Sequence, residues 1–439
     1  MGSSQFSVLI VTPIDYERTW NNREHNMARQ FAMKGCRVTV LCKAMNRSSR
    51  AADLFRDTLT FRTQESSMHG VRVLRVDPFF NYYAGLRSHA LAATNSSRPR
   101  PGIRNILVWL FFPLRFLRDL MFLPCFLYVA LARIRERQDA CVGFGPWGSL
   151  AGLWLRRLGR VRALVYEDRD FEPGLVPDGL RRRYTAFLER SLVRKADLAV
   201  SIGCKLAELR RSQSERDVHV VPTGIDWGRF APARAMARRG GVMVYTGTLV
   251  SWSGLDLVIQ ALPAVIRECP SARLVVVGDG GDPYKEELRR LVQSLSLEDR
   301  VTFLGSVPNR TLPFILGEAD IGLAVSEPVL YRKFACPLKV LEYMASGLAV
   351  IGTSDTETAD MIDRYGCGIS IPYDRDAFAS AAIKLLRDPG SAARYRENGI
   401  RHSKDMDWET MMGRELELIR SLRRDATGED METRTSVAT

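Results

Sequence analysis

No two of this chain's eight cysteines form a Cys-x-x-Cys pair; Cys36, Cys42, Cys125, Cys141, Cys204, Cys269, Cys336 and Cys367 are scattered in mostly apolar surroundings. Without that spacing the usual sequence basis for a metal site is missing, and free buried thiols in a reducing compartment are expected rather than disulfides. A basic leader segment is also lacking. Met1–Phe6 carries no cation and the apolar Val8–Pro13 is too short for a signal peptide, so the chain is expected to open with a strand in the cytoplasm. There are no internal repeats, and no long apolar run survives inspection. The most apolar stretch, Ile106–Leu131, has Arg115, Arg118 and Asp119 at its centre and is interrupted by Pro113 and Pro124. At about 2.5–3.5 kcal/mol for each charge, and without ~18 uninterrupted apolar residues, it does not span a bilayer. Two readings of it stand: a buried helix pair, or an aromatic-rich surface that dips into the lipid interface while Arg98, Arg100, Arg104, Arg115 and Arg118 meet headgroups.

What is present points to anions. The 439 residues hold 63 Lys and Arg against 50 Asp and Glu, a net charge of +13, and 46% are hydrophobic. That length suits two domains with real cores. The charge favours a nucleotide, a nucleic acid or an anionic membrane surface, and no nucleic-acid motif accompanies it. Short apolar strands and amphipathic helices alternate: in the second half Val242–Gly247, Ala272–Val277, Arg300–Gly305, Ile321–Val325 and Leu348–Ile351 read as strands, with helices between them and after the last at Ala377–Arg387. Such alternation specifies a parallel sheet with helices on both faces, and ligands bind beyond the carboxyl ends of its strands. The first half opens the same way, with strand Phe6–Thr12, helix Arg23–Lys34 and strand Arg37–Cys42, but without a glycine-rich loop; His25 on that helix reads as packed or surface-lying sooner than catalytic.

Two places carry candidate chemistry. Pro337 precedes a short helix, Leu338–Ser346, that Gly347 can end, so the N–H groups beginning at Leu338 are available to phosphate. Lys339 and Glu342, three apart, share a face. An ammonium there can meet a diphosphate and a carboxylate can accept from ribose hydroxyls; the alternative is an ordinary i,i+3 surface pair. The second place is Glu167-Asp168-Arg169-Asp170-Phe171-Glu172, at the carboxyl end of the strand Ala163–Tyr166. Asp168 or Asp170 can serve there as general base on an acceptor hydroxyl or position it; the alternative is an acidic loop paired with Arg181–Arg183.

In order along the chain, Val221-Pro222-Thr223-Gly224-Ile225-Asp226, Tyr245-Thr246-Gly247-Thr248-Leu249, Val277-Gly278-Asp279-Gly280, Val301-Thr302-Phe303-Leu304-Gly305, Ala319-Asp320 and Leu338–Gly347 resemble GT-B-fold glycosyltransferases of family 4. The resemblance implies an α/β fold of two Rossmann-like doubly wound domains facing a cleft. Residues 1–222 would hold the acceptor and 223–407 the sugar nucleotide; a helix at 408–424 would cross back to the first domain, and a polar tail at 425–439 would be disordered. It implies a UDP- or GDP-sugar donor held at Glu342, Lys339, Leu338, Gly247, Lys333 and the backbone near Val307, with no cofactor and no metal. The acceptor would be lipid-linked or a glycan, in polysaccharide or glycolipid assembly at the inner face of the cell membrane. Rival readings are a degenerate scaffold without turnover and an enzyme acting on a small soluble acceptor. The chain departs from the family pattern at three positions. Phe334 stands where members carry a first glutamate, eight before Glu342, and Thr248 and Ser253 replace two diphosphate-binding cations, a loss that Lys339 can offset; Arg332 and Lys333 either add to it or form a solvated basic loop.

Overall fold

The computed structural model describes residues 5–17, 22–44, 60–79, 112–176, 179–280 and 282–427. They form two compact units, one holding the described residues to Pro222 and those from Met411 onward, the other Thr223–Thr410. In the first unit the strands are β1 (Ser7–Thr12), β2 (Arg37–Lys43), β3 (Arg62–Met68), β4 (Val71–Asp77), β5 (Gln138–Phe144), β6 (Val161–Asp168), β7 (Leu198–Ser201) and β8 (His219–Val220). They lie in the order β3-β4-β2-β1-β5-β6-β7-β8, all parallel except the edge strand β3. β3 is polar on both faces, so nothing in its hydropathy announces it; it exists because His69 and Gly70, both at positive φ, make the tight turn that returns the chain into β4.

The second unit has β9 (Val242–Thr246), β10 (Arg273–Val277), β11 (Val301–Gly305), β12 (Ile321–Ala324), β13 (Ala349–Thr353) and β14 (Gly368–Ile371). Their spatial order is β11-β10-β9-β12-β13-β14, all parallel. The direction of winding reverses between β9 and β12, and that reversal opens a crevice at the strands' carboxyl ends. Alternate residues feed two cores: Met243 and Tyr245 face one helix layer, Val242 and Val244 the other.

Several sequence readings change. Ile106–Leu131 is not a helix pair: one helix, Phe112–Arg133, runs through Pro124, which faces solvent where the carbonyl it leaves without an N–H can meet water. Phe122, Cys125, Phe126, Val129 and Ala130 form its buried stripe. Residues 106–111 and Arg98, Arg100 and Arg104 lie outside the described residues. Among those described, no helix is long and apolar enough to cross a membrane. The helices Cys204–Ser214, Glu357–Tyr365 and Pro389–Lys404 went unread, and the last helix runs from Trp408 to Thr427, past the 425 at which a disordered tail was expected to start. The rest of that tail, 428–439, is not described. Trp408 packs under Gly224, where a β-carbon would come within 2.6 Å of the indole, while Met412, Leu416 and Ile419 are buried further along the same helix.

In the second unit the loops after β9 and β10 touch backbone to backbone. Gly247 N donates to Val277 O at 3.0 Å and Leu249 N to Asp279 O at 3.0 Å. A β-carbon on Gly278, whose φ is 131°, would lie 1.9 Å from the Gly247 carbonyl oxygen. Gly278→Ala is therefore expected to lower stability in urea by about 1–3 kcal/mol or more through overpacking and strain. A change below about 0.5 kcal/mol, the range of an inert surface substitution, would contradict this contact.

Candidate functional site

At the switch point of the second unit the helix Leu338–Ser346 is held by one side chain. Tyr343, fully buried, accepts a hydrogen bond from the Thr246 N–H at 2.8 Å and another from Thr246 Oγ1 at 3.1 Å, and donates to Leu323 O at 3.4 Å. Its ring lies over Gly322, where a β-carbon would be 2.3 Å away. The helix is thus fastened to the ends of both β9 and β12. Pro337 precedes it with no side-chain cap, and Gly347, at φ 70°, ends it. Leu338 begins its first turn.

From this helix Lys339 reaches back over the Tyr245 ring, 3.8 Å from its centroid, and lies beside Gly247, where a β-carbon would come within 3.2 Å of Nζ. Glu342 stands one turn on. Both are half-buried, and neither makes a hydrogen bond or ion pair with any described residue. Desolvation, helped by the Arg332 charge, holds the Lys339 ammonium well below its usual range, with Glu342 pulling weakly the other way. Burial pushes the Glu342 carboxyl up, opposed by Arg229 and Lys339. Two desolvated groups without a hydrogen bond or ion pair among the described residues, at a strand-end crevice, are what an anionic, hydroxyl-bearing ligand would complete.

Of the other expected donor residues, Gly247 meets Lys339, Val307 packs against the core beneath this edge, and Lys333 is exposed. It is Arg332, half-buried, whose charge acts on Lys339 and Tyr245. Arg229 was not read from the sequence at all; its guanidinium donates to Asn309 O at 2.6 Å and acts on Glu342 from a stretch far away along the chain. Phe334 is buried, and Ser253, also buried, donates to the Tyr284 hydroxyl at 3.2 Å, so neither supplies charge.

At the carboxyl edge of the first unit's sheet the acids are occupied. Asp168 ends β6, is 1% exposed and receives both Nε and Nη2 of Arg210, at 2.7 and 3.1 Å; Arg210 Nη1 reaches Glu189 at 2.8 Å. Asp168, expected from the sequence to act as general base on an acceptor hydroxyl or to position it, thus has its carboxylate on a buried guanidinium. The strand does not continue to Asp170, which is paired with Arg169 at 3.2 Å and partly exposed. Arg169 also bridges to Glu24, and Arg23 forks between Glu167 at 2.5 Å and Glu415 at 2.6 Å while donating to Pro222 O. Among the described residues Glu167 Oε2 and Glu415 Oε1 have no hydrogen-bond donor, and burial raises the Glu167 carboxyl, with Arg23 opposing. His25 is stacked on Tyr16 at 4.1 Å and bonded to its carbonyl, a packed histidine. Among the described residues no group of three His, Cys, Asp or Glu side chains could hold a metal.

Two family models match this chain: glycosyl transferases group 1 over residues 240–388, and a glycosyl transferase 4-like domain over residues 21–224. The chain belongs to the family 4-like glycosyltransferases and has the GT-B fold. It is 33% identical over 222 residues to a GDP-mannose-dependent alpha-(1-6)-phosphatidylinositol monomannoside mannosyltransferase of Mycolicibacterium smegmatis, a match covering 47% of this chain and 56% of that one. The chain thus spans about half the length of the curated relative. Among solved structures, a sucrose-phosphate synthase of Thermosynechococcus elongatus superposes with TM-score 0.68 at 19% identity, covering 96% of this chain and 100% of that one. HepE of Anabaena, in complex with UDP and glucose, gives 0.61 at 16%, covering 95% and 100%.

Two outcomes check the geometry. Tyr343→Phe leaves the buried Thr246 N–H without its acceptor and is expected to lower stability by about 1–3 kcal/mol in chemical denaturation; no loss would mean that the helix is seated by other contacts. Burial pushes the Glu189 carboxyl up to about 8 from 4.5, with Arg210 opposing. The folded state therefore holds a proton the unfolded chain releases, so Glu189 adds stability below about pH 4.5 that is lost as pH approaches 8. Measured against Glu189→Gln, the wild-type chain should lose about 2–4 kcal/mol of relative stability between those values; a pH-independent difference would contradict the assignment.

Proposed function

We propose that this chain transfers a sugar from a nucleoside-diphosphate sugar, UDP- or GDP-linked, to a lipid-linked or glycan acceptor in glycolipid or polysaccharide assembly. The single observation that carries the donor reading is the pair Lys339 and Glu342 at the β9–β12 switch point, desolvated and without a hydrogen bond or ion pair among the described residues. Lys339, with Arg332 near it, would meet the diphosphate, and Glu342 would accept from the ribose hydroxyls. Gly247 leaves room for the phosphates and the backbone near Val307 would face the base. The donor domain is then 223–407 and the acceptor domain 1–222. On transfer the anomeric carbon–oxygen bond to the diphosphate breaks, the electron pair leaving with the nucleoside diphosphate, and the acceptor oxygen bonds that carbon. With Asp168 locked on Arg210, the acceptor's proton goes to a leaving phosphate oxygen or to Asp170. The cations of the chain carry the diphosphate charge, so the reading needs no metal or cofactor.

The mannosyltransferase relative, named for a phosphatidylinositol monomannoside, supports a glycolipid acceptor, and the excess of cations supports peripheral attachment to an anionic inner membrane face. A second reading, a scaffold that binds nucleotide without turnover, is favoured by the buried Phe334 where the family has a glutamate.

Nucleoside diphosphate release from a panel of UDP- and GDP-sugars, with phosphatidylinositol glycolipid vesicles as acceptor, separates the two. Acceptor-dependent release from one donor is expected. Lys339→Met or Glu342→Gln should reduce kcat/KM about ten- to hundredfold, the worth of a charge-assisted hydrogen bond of about 1.5–3 kcal/mol. Because the bound diphosphate raises the ammonium that burial depresses, nucleotide affinity should fall as pH rises, and Lys339→Met should flatten that fall. Nucleotide binding without release would establish the scaffold; release unaffected by either substitution would move the donor site elsewhere.

A further inference from the structure

The helix Leu180–Lys195 carries two apolar stripes, and packing accounts for only one. Leu188, Leu192 and Val193 are buried in the first unit's core, and Glu189, the helix's one acidic residue, turns inward onto Arg210. On the opposite side Leu180, Tyr184 and Phe187, spaced i, i+4 and i+7, are 85%, 51% and 67% exposed. At 100° per residue these three fall within one narrow sector of the helix surface, flanked by Arg183, Arg190 and Arg194, which are exposed too. The outward face is therefore apolar along its middle and purely cationic at its edge. The next helix of the same layer, Gly145–Arg157, packs against it and presents Trp154, 39% exposed, with the Arg157 guanidinium 5.3 Å from the ring centroid.

We propose that this face seats on the surface of an anionic lipid bilayer, Leu180, Tyr184 and Phe187 entering the interface and Arg183, Arg190 and Arg194 meeting lipid phosphates. Large apolar and aromatic side chains held open to water along one helix face, with arginines beside them and no outward carboxylate within the helix itself, match an interface that is apolar below and anionic above. A protein partner of ordinary composition would call for charges of both signs at the rim. The assignment deepens the membrane attachment proposed above and rests on it, and it moves the contact from residues 98–131 to a helix whose outward side chains are described.

The test is sedimentation of the full chain with phosphatidylcholine vesicles, with and without phosphatidylglycerol and without donor or acceptor, at low and high salt. Wild-type protein is expected to bind only the anionic vesicles, and less so in salt. The triple variant Leu180→Ser, Tyr184→Ser, Phe187→Ser should bind about tenfold more weakly or less at the same salt. Arg183→Gln, Arg190→Gln, Arg194→Gln together should lose most of the salt dependence, at about fivefold per arginine. All six positions are at the surface, so both variants should melt as the wild type does, which separates lost binding from lost fold. A nucleotide-induced rise in Tm reports on the donor site alone, so failure there leaves this result interpretable. Absence of vesicle binding by the wild type, equal binding by all three proteins, or a solution dimer that the apolar variant breaks while vesicles are ignored would each overturn the proposal.

Discussion

The hydrogen bond from the Thr246 N–H to the Tyr343 hydroxyl is the contact on which the second unit's site depends. A parallel sheet ends in N–H groups that need partners, and here the last one of β9 finds its acceptor on a helix rather than on another strand. Fastening Tyr343 fixes the phase of that helix, and the phase decides that Lys339 and Glu342, four before and one before it, look onto the strand ends. Gly322 allows the ring to lie flat against β12, since any side chain there would displace it. The absence of a side chain at Gly247 leaves room beside the Lys339 ammonium. Neither of the two charged heads has a hydrogen bond or ion pair among the described residues, and the Tyr245 ring under Lys339 offsets only part of their desolvation.

The first unit solves the opposite problem. Its sheet edge is crowded with carboxylates, and Arg23, Arg75 and Arg210 each fork onto two or more of them: Glu167 with Glu415, Asp15 with Glu17, and Asp168 with Glu189. Arg23 also holds the carbonyl of Pro222. Ties of this kind rigidify the edge, because removing one partner strands the others as buried charges. The acids are thereby tied into the architecture, and Asp170, at 24% side-chain exposure, is paired with Arg169.

Where local physics decides, the sequence was readable. Pro337 and Gly347 bracket Leu338–Ser346 because proline tolerates a helix start and glycine the left-handed end, and the structure has the helix at those bounds. The alternation of the second half translated into a parallel sheet because each of its strands is a short apolar run. What stayed illegible has two sources, partners distant along the chain and elements without an apolar period. Alternation indicates which side Asp168 faces but not that Arg210, 42 residues on, will be buried against it. Lys333 and Arg332 are indistinguishable as a basic pair until the short helix Leu330–Phe334 turns one outward and one inward. β3 stayed hidden because an edge strand wetted on both faces has no apolar period. Pro124 read as a break because a solvent-facing proline inside a helix cannot be told in sequence from one that ends it.

We propose that Lys339 and Glu342 hold the nucleotide, and a crystal structure of the full chain grown with UDP or GDP would show the contact. The Lys339 ammonium is expected on a phosphate oxygen and the Glu342 carboxylate accepting from the ribose hydroxyls. A nucleotide bound elsewhere, with Lys339 still resting on Tyr245 and Glu342 untouched, would contradict it.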